Sequence, residues 1–127
     1  MSNDTSNIAT ILAGLTIAPQ VEQYVAALNA AAIDYANKRG YGFHDVFCVV
    51  RLSKYVKIVA STVYPENSST SNTHVHAFID PTTGDVFKPA GWKAPAKGAR
   101  YNLLDEASFA RLLSVLDGTG SYLYVRR

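Results

Sequence analysis

The sequence predicts an α+β fold, an antiparallel sheet of four or five strands with two packed helices. Three observations carry this reading. Apolar residues recur at spacings of three and four across residues 19–39, then switch to an alternating pattern after Gly40. Turn signals separate short β-branched runs between residues 45 and 88. A second helical stripe follows a capping aspartate at Asp105.

The elements follow in order. Residues 1–7 are polar and are expected to fray. Residues 8–17 are apolar but short, and suit a turn of helix or a packed arm. Pro19 fits the first turn of the first long helix. Val21, Tyr24, Val25, Leu28, Ala31, Ala32 and Tyr35 share one face of it, while Glu22, Gln23, Asn29 and Asp34 lie mostly off that face. Lys38 and Arg39 complement the dipole of the last turn, and Gly40 ends it. Asp45–Leu52 and Tyr55–Tyr64 read as a hairpin through Ser53-Lys54, and residues 65–72 as a polar loop. Thr73–Asp80 and Asp85–Lys88 are strands joined by the turn Pro81-Thr82-Thr83-Gly84.

Residues 89–104 form a basic aromatic loop whose prolines and glycines forbid a regular element. Asp105 caps a helix over 106–116, buried through Phe109, Leu112, Leu113 and Leu116. Residues 121–127 alternate and read as a last strand, with Tyr122, Tyr124 and Arg126 on one face.

Composition narrows the function classes. The chain has 127 residues, one domain's worth, and 48% are hydrophobic, which is enough for one core. Twelve basic residues against ten acidic ones leave a net charge of +2, which excludes a DNA-coating protein but allows a local basic site. A single cysteine, Cys48, excludes a disulfide scaffold and an all-cysteine zinc site. No apolar run is long enough for a membrane span, and the polar start predicts no signal peptide. The expectation is a cytosolic domain with no membrane partner.

The segment with the most chemistry runs from Lys88 to Asn102. It holds Lys88, Lys93, Lys97 and Arg100, the only tryptophan (Trp92), and Tyr101, with no acid between Asp85 and Asp105. Its other residues are almost all Gly, Ala or Pro, which lets a ligand approach backbone N–H groups. Lysines suit phosphates and an arginine grips two oxygens at once. Trp92 or Tyr101 can stack on a base, and Asn102 can read a base edge or a hydroxyl. Together with His76 these residues describe a site for a nucleotide or a single RNA strand. A structural role competes: Trp92 as a core anchor, the lysines as a solvated face, and Arg100 paired with Asp80 or Asp85.

Strict alternation puts His74, His76, Phe78 and Asp80 on one face of the third strand. His74 and His76, with His44, offer ligands for a metal, and histidine beside aspartate suits acid–base catalysis. Neither reading leads: no Glu lies within the strand, a water-activating metal site needs three protein ligands plus an open position, and the paired His-x-Thr/Ser motifs of two-histidine phosphodiesterases are absent. No catalytic set, metal or cofactor is assigned. Cys48 sits in an apolar run and reads as structural. The alanine patch at 26–27 and 30–32, beside Tyr24 or Tyr35, suits packing within the chain or the seam of a homo-oligomer.

The stretch from His76 to Asn102, with Leu103-Leu104-Asp105 and the terminal Tyr-Leu-Tyr-Val-Arg, resembles a family of small proteins encoded by tailed bacteriophages. Their shared pattern begins at a His-x-Phe-Ile-Asp or His-x-Phe-Val-Asp, passes through Thr-Gly-Asp and Trp-Lys-x-Pro-Ala, and ends on Ala-Arg-x-Asn. The likeness covers about a third of the chain, omits the helix of residues 19–39, and departs at Pro89 and Tyr101. It implies a phage origin, hence the cytoplasm of an infected bacterium, and no mechanism. Small phage proteins include sponges that sequester nucleotide immune signals without cleaving them. By that analogy the expected function is non-enzymatic sequestration of an anionic nucleotide-derived ligand. The alternatives are a nucleic-acid-binding accessory protein and a virion or scaffold protein without a small ligand.

Overall fold

A computed structural model describes residues 7–124. The short helix α1 (Ile8–Ile11) leads into α2 (Ala18–Arg39). Strands β1 (His44–Arg51), β2 (Val56–Tyr64), β3 (Ser69–Ile79), β4 (Asp85–Phe87) and β5 (Tyr101–Asn102) precede α3 (Glu106–Val115) and a 3-10 turn (Ser121–Tyr124). The five strands form one antiparallel sheet in chain order, so the α+β reading stands. No helix among the described residues is long and apolar enough to cross a membrane.

The apolar period of α2 is realised through Val21, Tyr24, Val25, Leu28, Ala32 and Ala36, which face the sheet. Tyr24, expected as an exposed tyrosine of a seam, is buried; Tyr35 is exposed under the guanidinium of Arg39, 3.8 Å from its ring centre. Gly40 ends the helix at φ 69°, a left-handed conformation that glycine adopts without Cβ strain, and Tyr41 N–H donates back to Ala36 O.

Asn29, off the predicted apolar face, has a structural task. Its side chain accepts from Phe47 N–H (2.8 Å) and donates to Phe47 C=O (3.2 Å). Strand β1 is a sheet edge, and α2 thereby covers backbone groups that would otherwise invite another strand. Arg51 likewise donates to Ile11 and Ala13 carbonyls, tying the end of α1 to β1.

Three sequence expectations are corrected. The polar loop of residues 65–72 is shorter than expected. Tyr64 already pairs with Ser69, because Asn67 accepts from Ser69 N–H and hydroxyl and closes a tight turn. The face shared by His74, His76, Phe78 and Asp80 does not exist. Ile58 pairs with Ala77 and Val59 with Val75, so His76 is the extra residue of a bulge. His76 turns into the core edge-on to Phe47, while Phe78 meets Tyr55 instead.

The third correction concerns the last strand. Ser121–Tyr124 is a 3-10 turn, and the sheet edge is taken by Tyr101-Asn102. Tyr122 and Leu123 are adjacent and both buried, which a strand with one covered face cannot arrange. Residues 1–6 and 125–127, including Arg126, lie outside the described residues.

The turn between β3 and β4 forms as expected. Asp80 accepts from the N–H groups of Thr82 and Thr83, and Gly84 sits at φ 82°. A Cβ there would stand 2.9 Å from Leu104 Cγ. Asp105 caps α3 by accepting from Ser108 N–H, and Leu112 is the fully buried residue of that helix.

Candidate functional site

Residues 88–100 are better ordered than their composition predicts. Arg100 N–H donates to Val86 O, Ala96 N–H to Lys88 O, and Ala90 N–H to Ala94 O. Pro89 and Pro95 face each other as an isolated bridge. The excursion is a narrow double-backed loop with Trp92 and Lys93 at its tip.

Trp92 is 52% exposed and is therefore no core anchor. It is held from beneath by Lys57, a residue that sequence reasoning passed over inside a β-branched run. Lys57 Nζ donates to Trp92 C=O at 2.9 Å and lies 3.9 Å from the ring centre. Its side chain is only 5% exposed, so the carbonyl and the π face together replace the water a buried ammonium would lose. A lysine inside the otherwise apolar run Val56–Ala60, every position of which is buried, was the available signal. Lys88 sits 4.5 Å over the Tyr124 ring, and Lys93 and Lys97 are exposed.

The remaining predicted site residues turn inward. Arg100 donates from Nε to Leu123 C=O at 2.8 Å and from a terminal nitrogen to Gly98 C=O at 2.8 Å, clamping the 3-10 turn to the loop. The expected partners Asp80 and Asp85 are not among these contacts. Asn102 donates to Thr83 C=O and Asp85 Oδ1 and accepts from Leu104 and Asp105 N–H, stitching two turns at the start of α3. Tyr101 is buried, its hydroxyl donating to Tyr122 C=O.

His76 belongs to a buried chain of polar groups. Its Nε2 is 2.7 Å from the Tyr122 hydroxyl, which is 2.6 Å from that of Tyr24. Burial, with a small contribution from His74, lowers the His76 pKa from 6.5 to about 4, against an opposing pull from Asp117. The imidazole is therefore neutral at neutral pH. Burial likewise pushes the phenols of Tyr24 and Tyr122 well above their ordinary range. The fold needs these three groups to satisfy one another.

The acid–base and metal constellations are not assembled. His74 is exposed and bonded to Asn72 C=O, and Asp80 is engaged in its turn. Among the described residues no three of His, Cys, Asp or Glu cluster as a metal site. Cys48 is half-buried and its thiol is raised in pKa by burial, away from a reactive thiolate.

The structure thus leaves Trp92, Lys93 and Lys97 exposed and Lys88 half-buried along the excursion, sets Lys57 against Trp92 and Lys88 against Tyr124, and draws His76, Arg100, Tyr101 and Asn102 into the framework. Residues 6–125 match a family of unknown function (DUF7717). No curated protein and no solved structure is detectably similar to the chain.

Proposed function

The chain belongs to the family of unknown function DUF7717, and we propose that it is a non-enzymatic binding protein for an anionic, nucleotide-derived ligand held on the Trp92 surface. The observation that carries the proposal is an exposed indole fixed in place by a buried lysine, in a segment without acids. A base stacks on the open side of the ring, and Lys88, Lys93 and Lys97 meet its phosphates. Arg100 and Asn102 act on the ligand only by holding the loop's shape. The likeness to tailed-phage proteins supports a ligand of the infected cell, such as a nucleotide signal of host defence. Exposed Lys93 and Lys97 beside exposed Trp92 also favour a second reading, a single nucleic-acid strand on the same loop.

Trp92 is the only tryptophan, so its emission reports this surface directly. Titration with cyclic dinucleotides and ADP-ribose is expected to quench it saturably, and Lys93→Ala to weaken binding roughly tenfold. A log–log salt slope of about three or more, seen with oligonucleotides alone, moves the reading to a nucleic-acid strand. An unperturbed emission with every probe, in protein whose native mass spectrum carries no bound ligand, overturns both. The same spectrum gives the subunit count, for which the proposal is a homo-oligomer.

A further inference from the structure

A concavity lies at the end of the sheet away from Lys57 and Trp92. Lys57 pairs with Val50 near one end of β1, whereas His44 pairs with Val63 at the opposite end. There a cleft of about 490 Å³ opens between the C-terminal half of α2, the start of β1 and the turn after α3. That volume falls within the usual range for a small-molecule site.

Small residues create it. Ala31, Ala32 and Ala36 of α2 and Gly118 of the turn leave space where larger side chains would close the gap. Gly118 is not demanded by the backbone: it has no positive φ, and a Cβ would meet only ordinary contacts, 3.7 Å from Phe47 and 3.8 Å from Asp45 Oδ2. The missing side chain keeps the cleft open without serving the turn.

Its walls are aromatic and acidic. Tyr41 and Phe43 stack at 4.9 Å and 11°, and Tyr35 stands edge-on to Tyr41 at 6.2 Å. These rings are 44%, 39% and 50% exposed, an apolar surface left uncovered on the chain alone. Among the described residues the ionisable groups lining the cleft are Asp45, Asp117, His44 and His74, with the phenols of Tyr35 and Tyr41; Arg39 is not in the lining but lies over the Tyr35 ring. Asp117 accepts from the N–H groups of Thr119 and Gly120 and shapes the turn. Asp45 Oδ1 accepts from the Thr62 hydroxyl at 2.9 Å, and its Oδ2 faces the Gly118 floor. Arg39 over Tyr35 already shows a cation using a ring of this cluster.

We propose that this cleft binds a small organic cation, an aromatic or methylated amine, with its charge on Asp45 and its carbon surface against Tyr35, Tyr41 and Phe43. Ring faces carry negative potential and attract a cation, while the carboxylates repel the anionic ligands that suit the Trp92 surface. The site is independent of the reading made for Trp92.

The test is amide NMR of the isotope-labelled full chain with benzyltrimethylammonium, compared with benzyl alcohol and phenyl phosphate. The cation is expected to shift amides around Tyr41, Phe43 and Gly118 saturably, roughly tenfold more tightly than either comparator. Ala31→Phe fills the floor and abolishes the shifts. Asp45→Asn keeps an acceptor for Thr62 and weakens the cation about fivefold. Tyr41→Ala, at the solvent rim, serves should Ala31→Phe fail to fold, and also loses binding. Equal affinity for the three probes, no saturable shift, or unchanged binding in a folded floor or rim variant overturns the proposal. So do probe-free spectra that change at these residues on dilution, which would place a second copy of the chain in the cleft.

Discussion

Two sets of residues within the stretch from residue 76 to residue 102 look alike as sequence and behave differently as structure. Trp92, Lys93 and Lys97 are exposed and Lys88 is half-buried, and the side chains that meet this set are the Tyr124 ring beneath Lys88 and the Lys57 ammonium against Trp92. His76, Arg100, Tyr101 and Asn102 carry equally polar side chains, yet they hydrogen-bond to the protein's own backbone and core. The difference teaches where function can reside in this chain. A group whose hydrogen bonds hold the fold is not at liberty to exchange them for a ligand, because each exchange gives up a contact that fixes the backbone and, for buried His76 and Tyr101, leaves a desolvated atom behind.

The largest effect expected from this contrast is a loss of stability in acid. Below pH 6.5 the unfolded chain takes up a proton that buried His76 refuses until about pH 4, so stability falls as pH drops through that window. The shift corresponds to roughly 3 kcal/mol, fully lost below the lower value. A protonated imidazole can also no longer accept from Tyr122. Urea unfolding across this range checks it: His76→Gln, which keeps a polar partner for Tyr122 but does not titrate, should flatten the profile, and an unchanged slope would remove His76 as its source.

Next in size is Asn102→Ala, which leaves Leu104 and Asp105 N–H groups and Thr83 C=O without their partner. These groups are exposed and water can replace the lost bonds, so the change should cost about 1.5 kcal/mol in denaturant unfolding while leaving the Trp92 emission of the folded protein unchanged. A stable variant with altered ligand binding would instead place Asn102 with the outward set. The smallest effect on stability belongs to Trp92→Ala. Lys57 keeps its backbone acceptor and loses only the ring, so the cost should stay below about 1 kcal/mol, while binding to the basic surface disappears. A variant that unfolds would show that the indole is framework after all.

Much of this architecture could be read before any coordinates. The helix stripe of Val21, Tyr24, Val25 and Leu28, the Pro81–Gly84 turn and the Asp105 cap are local patterns, each set by residues a few positions apart. The bulge at His76 was not legible, because an inserted residue depends on how β2 pairs with β3 rather than on β3 itself. The fates of Lys57 and Arg100 were hidden for a similar reason. Their partners lie 35 and 23 residues away.

The aromatic cleft shows the same limit. Tyr35, Tyr41, Phe43, Asp45 and Gly118 are unremarkable one by one along the chain, and they become a lined cavity only when α2, β1 and the turn after α3 meet.

The sequence by itself therefore determined the α+β class, the span of α2, the main hairpin and the basic character of residues 88–100. Periodicity and turn chemistry act over a few residues and survive in any surroundings. Only the tertiary structure decided which polar side chains serve the fold and which face outward. Burial and partnership are properties of pairs, and a linear pattern does not state which distant residue completes each pair.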